Sequence, residues 1–152
     1  MVLPHSGPDP AAHARPQTWW DAEGNEHPCY VLRFWFEWAT ETALWPAKNV
    51  ARERFGIGPI MPEELPLLEA TQRQVRALAT WHERALNWEY PPDPGPWRHE
   101  ECDRFNSAVT ALYATIVREL GDTFDVIHAQ PEERENPDLD VYLQDPKGFK
   151  RA

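Results

Sequence analysis

The chain has 152 residues, of which 41% are hydrophobic and 26% charged, and acidic side chains outnumber basic ones to leave a net charge of −10. That balance excludes a nucleic-acid binder, because phosphates call for clustered Lys and Arg, and it is equally unfavourable for anionic membranes. No apolar run approaches the ~20 residues needed to span a bilayer, and the opening residues have neither the basic nor the apolar region of a secretory signal.

Leu, Ile, Val and Phe together make up only about 20% of the chain, the edge of what a folded domain needs. Eight Trp and four Tyr compensate, since each large ring buries roughly 150–250 Å². The core is therefore expected to be aromatic. Two cysteines, Cys29 and Cys102, cannot build a disulfide framework and read as reduced thiols of a cytoplasmic protein.

Residues 1–16 carry four prolines and no periodicity, and read as a mobile N-terminal arm. Residues 17–130 then read as a single α+β domain. Its first feature is a hairpin: residues 17–22 and 27–38 flank Glu23, Gly24, Asn25 and Glu26, a run that tolerates positive φ. The second strand alternates strictly. Tyr30, Leu32, Phe34, Phe36 and Trp38 share one face, and Val31, Arg33, Trp35 and Glu37 share the other, the signature of a half-buried strand. Residues 42–45 make a short further strand stopped by Pro46.

Two long helices follow. Pro66 suits the first turn of one that runs to about Leu86, with Leu68, Val75, Leu78, Ala79 and Ala85 near helical spacing. The other starts around Pro96 or Trp97 and carries the stripe Cys102, Phe105, Val109, Leu112, Ile116 and Leu120, with Gly121 as its stop. Residues 123–128 form a last short strand. The expected architecture is an antiparallel sheet of three to four strands with both long helices packed on one face. Residues 131–152 read as an acidic, largely extended C-terminal tail ending in Lys147, Lys150 and Arg151.

Catalytic signatures are missing. The chain has no Gly-x-Ser-x-Gly elbow, and Gly56, Ile57 and Gly58 lack the downstream Gly and Lys of a phosphate loop. The acid–base groups on offer are Glu37, His82, Glu89, Asp93 and His99, and their spacing fixes no geometry. His99 and Cys102 are three apart at a helix start, either as a thiol–base pair or as two metal ligands. Zinc needs three or four ligands, and no companion pair is present. No cofactor or metal is expected.

Two features point instead to a protein partner. The run Asn87, Trp88, Glu89, Tyr90, Pro91, Pro92, Asp93, Pro94, Gly95, Pro96 and Trp97 is stiffened by its prolines, which lowers the entropy lost on binding. It is a rigid connector whose rings pack on the protein's own core, a surface presented to a partner through Trp88, Glu89, Tyr90, Asp93 and Trp97, or the rim of a small-ligand site. Arg33, Trp35 and Glu37 stand in a row on the outer strand face, with two readings. They form an interface patch, or Trp35 is covered by Trp19 or Trp20 of the hairpin. Electrostatically, a basic partner is favoured.

Trp45, Pro46 and Ala47, the segment Arg52, Glu53, Arg54, Phe55 and Gly56, and the loop from Leu86 to Pro94 resemble those of small acidic bacterial proteins. In size, acidity and aromatic content the chain resembles immunity proteins from toxin–immunity systems. The resemblance agrees with what the −10 charge, the stiff aromatic elements and the missing catalytic signatures point to: a soluble, non-enzymatic protein-binding domain, immunity-like, that neutralises a basic partner. It transfers no site residues, because immunity families have diverse folds. The alternative is a small-molecule-binding protein or small enzyme, with a pocket between sheet and helices lined by Trp45, Trp81 and Trp88.

Overall fold

A computed structural model describes residues 14–149; residues 1–13, most of the expected arm, and the tip residues Lys150 and Arg151 lie outside the described residues. β1 (Thr18–Trp20) and β2 (Glu26–Pro28) form an antiparallel hairpin with Trp19 opposite His27. Asp21 ties its turn, accepting the N–H groups of Glu23 and Asn25 at 2.9 Å and facing His27 Nε2 at 2.8 Å. These partners, His27 foremost, hold the Asp21 carboxyl well below its ordinary range, at about 2.

The alternating run does not remain one strand. Cys29 N–H bonds to Gln17 O and ends the hairpin. β3 (Tyr30–Phe34) then enters a second sheet of order β4-β3-β5, with β4 (Leu44–Pro46) and β5 (Phe124–His128) on its two sides. β3 pairs antiparallel with β4 and parallel with β5, so the fold is α+β but its main sheet is mixed rather than antiparallel. The reason is the connection. After β4 the chain passes through both long helices before returning beside β3, and a crossover of that length can deliver a parallel strand.

β3 also ends at Phe34, before the expected end at Trp38. Trp35 N–H still reaches Ala43 O, but the Phe36 N–H goes to the side chain of Gln130 at 2.8 Å, and Ala39 turns the chain at φ 62°. Burial continues past the ladder. Leu32, Phe34 and Phe36 pack with Val75, Leu78 and Ala79 of α2 (Glu69–Glu83) and with Phe105, Val109, Leu112 and Ile116 of α3 (His99–Leu120). The whole α3 stripe from Cys102 to Leu120 is buried as its spacing predicts. Each large apolar side chain so buried contributes about 1.5–3 kcal/mol, which makes this face the main adhesion between sheet and helices. Gly121, at φ 69°, closes α3 with its N–H on Val117 O.

Pro66 stands before α2 rather than in its first turn. Glu119 of α3 serves that end instead, accepting the Leu68 N–H at 2.8 Å and the Thr71 hydroxyl at 2.7 Å. Between β4 and α2, α1 (Asn49–Phe55) buries Ala51. On the other sheet face, Val31 packs with Ala47, Ala14 and Ile127, and Arg15 N–H reaches Asp125 at 2.7 Å. The described end of the expected arm is therefore docked.

The segment after Gln130 differs from the expected extended tail. It contains α4 (Leu139–Gln144), which buries Leu139 and Tyr142, three apart on one helical face. Its carboxylates serve the start of α3: Glu135 accepts the His99 N–H at 2.9 Å and Asp140 pairs with Arg98 at 2.7 Å. Acidic composition predicted solvation, but a helix N-terminus is a favourable place for negative charge. Among the described residues, no helix is long and apolar enough to cross a membrane.

Candidate functional site

The proline-rich loop divides into an outer and an inner limb. Asn87 organises both. Its Oδ1 accepts the N–H groups of Glu89 at 3.1 Å and Tyr90 at 3.2 Å, and its Nδ2 donates to Pro94 O at 3.2 Å and to the Tyr142 hydroxyl at 3.0 Å. Helix α4 thereby straps the loop. The outer limb is open: Trp88 is 56% exposed, Tyr90 46%, and Glu89 is exposed. The inner limb is not. Trp97 is buried against Trp81 and Phe105, with ring centroids at 5.9 and 5.0 Å, and Asp93 is buried as well. The connector reading holds for the inner limb, and Asp93 and Trp97 are withdrawn from the expected surface; the outer limb leaves Trp88, Glu89 and Tyr90 exposed. Gly95 explains the inward turn, since a Cβ there would lie 2.1 Å from Ala85 O. Only glycine lets the loop lie this close to the end of α2.

The row on the strand is also divided. Arg33 and Trp35 are half-buried. Trp45 lies beside Trp35, with ring centroids 5.9 Å apart, and its Nε1 donates to Trp35 O at 3.1 Å; Trp19 stacks on His27. Glu37, expected on the outside, is buried. Once β3 ends at Phe34, alternation no longer tells which side a residue takes. Its Oε1 accepts the Trp38 N–H at 3.2 Å, and its Oε2 is buried with no hydrogen-bond partner.

Trp38 joins the strand end to the loop, a role that its assignment to the buried face concealed. Its ring stacks on His82 at 3.9 Å and 14°, and meets Trp88 edge-on at 6.5 Å and 85°. Glu83, the last residue of α2, fastens both pieces. Its carbonyl accepts Trp88 Nε1 at 2.6 Å, and its carboxylate accepts the N–H of Ala39. A carboxylate is unfavourable at the negative end of a helix dipole, and Ala39 is in the left-handed region. Two local costs therefore converge on this spot.

Below lies a polar layer. His82 is buried between Trp38 and Phe36, its Nε2 is 3.5 Å from Glu133 Oε1, and its Nδ1 has no hydrogen-bond partner. Asn106 holds Glu133 through paired backbone bonds of 2.9 Å. Gln130 links the layer to the sheet by accepting the Phe36 N–H.

His99 and Cys102 do not form a thiol–base pair. His99 faces Asp103 at 3.1 Å, whereas Cys102 is buried, and burial followed by Glu133, Glu135 and Asp103 raises its thiol pKa. Such a thiol is a poor nucleophile. Among the described residues, no three His, Cys, Asp or Glu side chains are grouped to hold a metal ion. Among the described residues, Trp45, Trp81 and Trp88 pack apart from one another, on Trp35, on Trp97 and Phe105, and on Trp38 respectively. Cavities of about 140 and 260 Å³ lie beside the segment after β5, lined by none of these three rings.

What the site offers is an aromatic surface where Trp38 meets Trp88, fastened by Glu83, with Glu89 and Tyr90 exposed on the same loop limb. Flat rings beside negative charge suit cationic and amphipathic side chains of another protein. Residues 32–131 match the family model described as Serratia CdiI immunity protein-like. No match to a curated protein was found.

Proposed function

Because the chain belongs to the Serratia CdiI immunity protein-like family, we propose that it is a non-enzymatic immunity protein that neutralises a basic partner protein through the surface of Trp38, Trp88, Glu89 and Tyr90. The observation that carries this reading is Trp88. It is 56% exposed, yet its indole N–H is fixed on Glu83 O at 2.6 Å. A large ring held ready in water loses little freedom on contact, which is how interface anchors gain affinity. The net charge of −10 supports a basic partner, since opposite charge speeds encounter. Two buried free thiols support action in the cytoplasm.

The test is capture of the partner from the native host on immobilised protein, followed by titration at two salt concentrations. Trp88→Ala is expected to weaken binding at least about tenfold, and Glu89→Lys to slow association in a salt-dependent way. Unchanged affinity in both variants, with the fold intact, would remove this surface from the account.

A further inference from the structure

The outer limb of the loop stands largely in water, with Trp88, Glu89 and Tyr90 all exposed, so its shape depends on a few hydrogen bonds. Two of them converge on Asn87 Oδ1, from the N–H groups of Glu89 and Tyr90. The other end of that amide donates to Pro94 O at 3.2 Å and to the Tyr142 hydroxyl at 3.0 Å. An asparagine amide has two acceptor sites and two donor hydrogens, and here all four are used. Its orientation is thereby set. Glu89, Tyr90 and Pro94 belong to the loop itself, whereas Tyr142, 55 positions along the chain, ties the amide to another element.

Tyr142 is itself anchored. α4 has six residues, too few to hold a helix in water unaided. It is held by Leu139, by the Tyr142 ring, 8% exposed and edge-on to Phe149 at 5.4 Å, and by Asp140 on Arg98 at 2.7 Å. The loop lies within residues 32–131 matched to the family, and Tyr142 lies beyond them. Resting on the immunity reading above, we infer that Tyr142 is a positioning residue of the partner surface: its hydroxyl fixes the Asn87 amide, and that amide fixes the turn presenting Glu89 and Tyr90. A turn already ordered in the free protein loses less freedom on contact. From a buried position, the hydroxyl acts on affinity through Asn87.

The test is amide hydrogen exchange of the free protein. Tyr142→Phe keeps the buried ring and removes only the hydroxyl. It should speed exchange at Glu89 and Tyr90 about fivefold, the weight of one neutral hydrogen bond. The Asn25 amide, held by Asp21 in the hairpin turn, should exchange as before. Asp140→Asn, which removes a surface ion pair of α4 and leaves the hydroxyl, should change Glu89 and Tyr90 less than about twofold. Unchanged exchange in Tyr142→Phe, or equal acceleration in Asp140→Asn, would overturn the proposal. Titration of the captured host protein is the second arm. Tyr142→Phe should weaken it about threefold, by the fraction of loops left ordered, and should weaken it no further once Asn87 is alanine. A full effect in the Asn87→Ala background would overturn the positioning role. If the captured protein depends on Trp88 but not on Tyr142, the positioning role fails and the immunity reading stands. If it ignores Trp88 while the loop amides respond to Tyr142→Phe, the immunity surface fails and Tyr142 still positions the loop.

Discussion

Replacing Gly95 by Ala tests how the inner limb of the loop is seated. The new Cβ would lie 2.1 Å from Ala85 O and 3.3 Å from Ala85 C. Carbon–oxygen contacts settle at about 3.3 Å or more, so the loop or the end of α2 must retreat by about 1.2 Å. The atom in the way is backbone, which no rotamer change can move aside. Overpacking of this kind costs about 1–3 kcal/mol. For a chain of this size that lowers the thermal midpoint by roughly 3–10 °C. The displacement also pulls against the clasp of Asn87 on Pro94 and on the Tyr142 hydroxyl. Urea unfolding with tryptophan fluorescence measures the loss, and the indole resonance of Trp88 reports the movement. A Gly95→Ala protein with an unchanged midpoint and spectrum would refute the close packing of loop on helix.

Trp97→Ala removes a core ring and should cost about 3–5 kcal/mol, whereas Trp88→Ala should cost less than about 2 kcal/mol, because most of its ring is already in water; comparable losses in urea unfolding would contradict the division of the loop. Both thiols have pKa values raised chiefly by burial, so iodoacetamide at pH 8 should label neither Cys29 nor Cys102 until urea is added. Rapid labelling of the folded protein, read by mass spectrometry, would contradict that. Asp21 should titrate near 2, and His27→Ala should return it towards 3.8. Since its folded pKa is depressed, its contribution to the hairpin is complete above the ordinary carboxylate range and is lost as pH falls through about 2. Carboxyl chemical shifts followed with pH check both values, and a wild-type midpoint near 3.8 would contradict the hairpin geometry.

The α3 stripe was legible in the sequence because every residue from Cys102 to Leu120 in it depends on local spacing alone. The inner face of β3 was legible for the same reason, with Leu32 and Phe34 both in the core. What escaped depends on residues far away in the chain. Gln130 takes the Phe36 N–H across 94 positions, and no local pattern announces that the ladder ends there. Beyond that point Glu37 is buried and Ala39 turns the chain, held by the Glu83 carboxylate from α2. The parallel partner of β3 and the docking of α4 are likewise decided by how the helices return the chain. At the site, prolines disclosed a stiff loop carrying Trp88, Glu89 and Tyr90. They did not reveal that Gly95 directs Trp97 and Asp93 inward, or that Trp38 and Glu83 complete the surface.

The central claim is that the partner seats on the surface where Trp38 and Trp88 meet. Chemical-shift mapping of the captured partner on the isotopically labelled chain tests it most directly. The indole N–H of Trp88 and the amides of Ala39 and Tyr90 should shift on binding, while the buried indole of Trp97 stays in place. A footprint confined to α1 or to the β1–β2 hairpin, with Trp88 unmoved, would contradict the account.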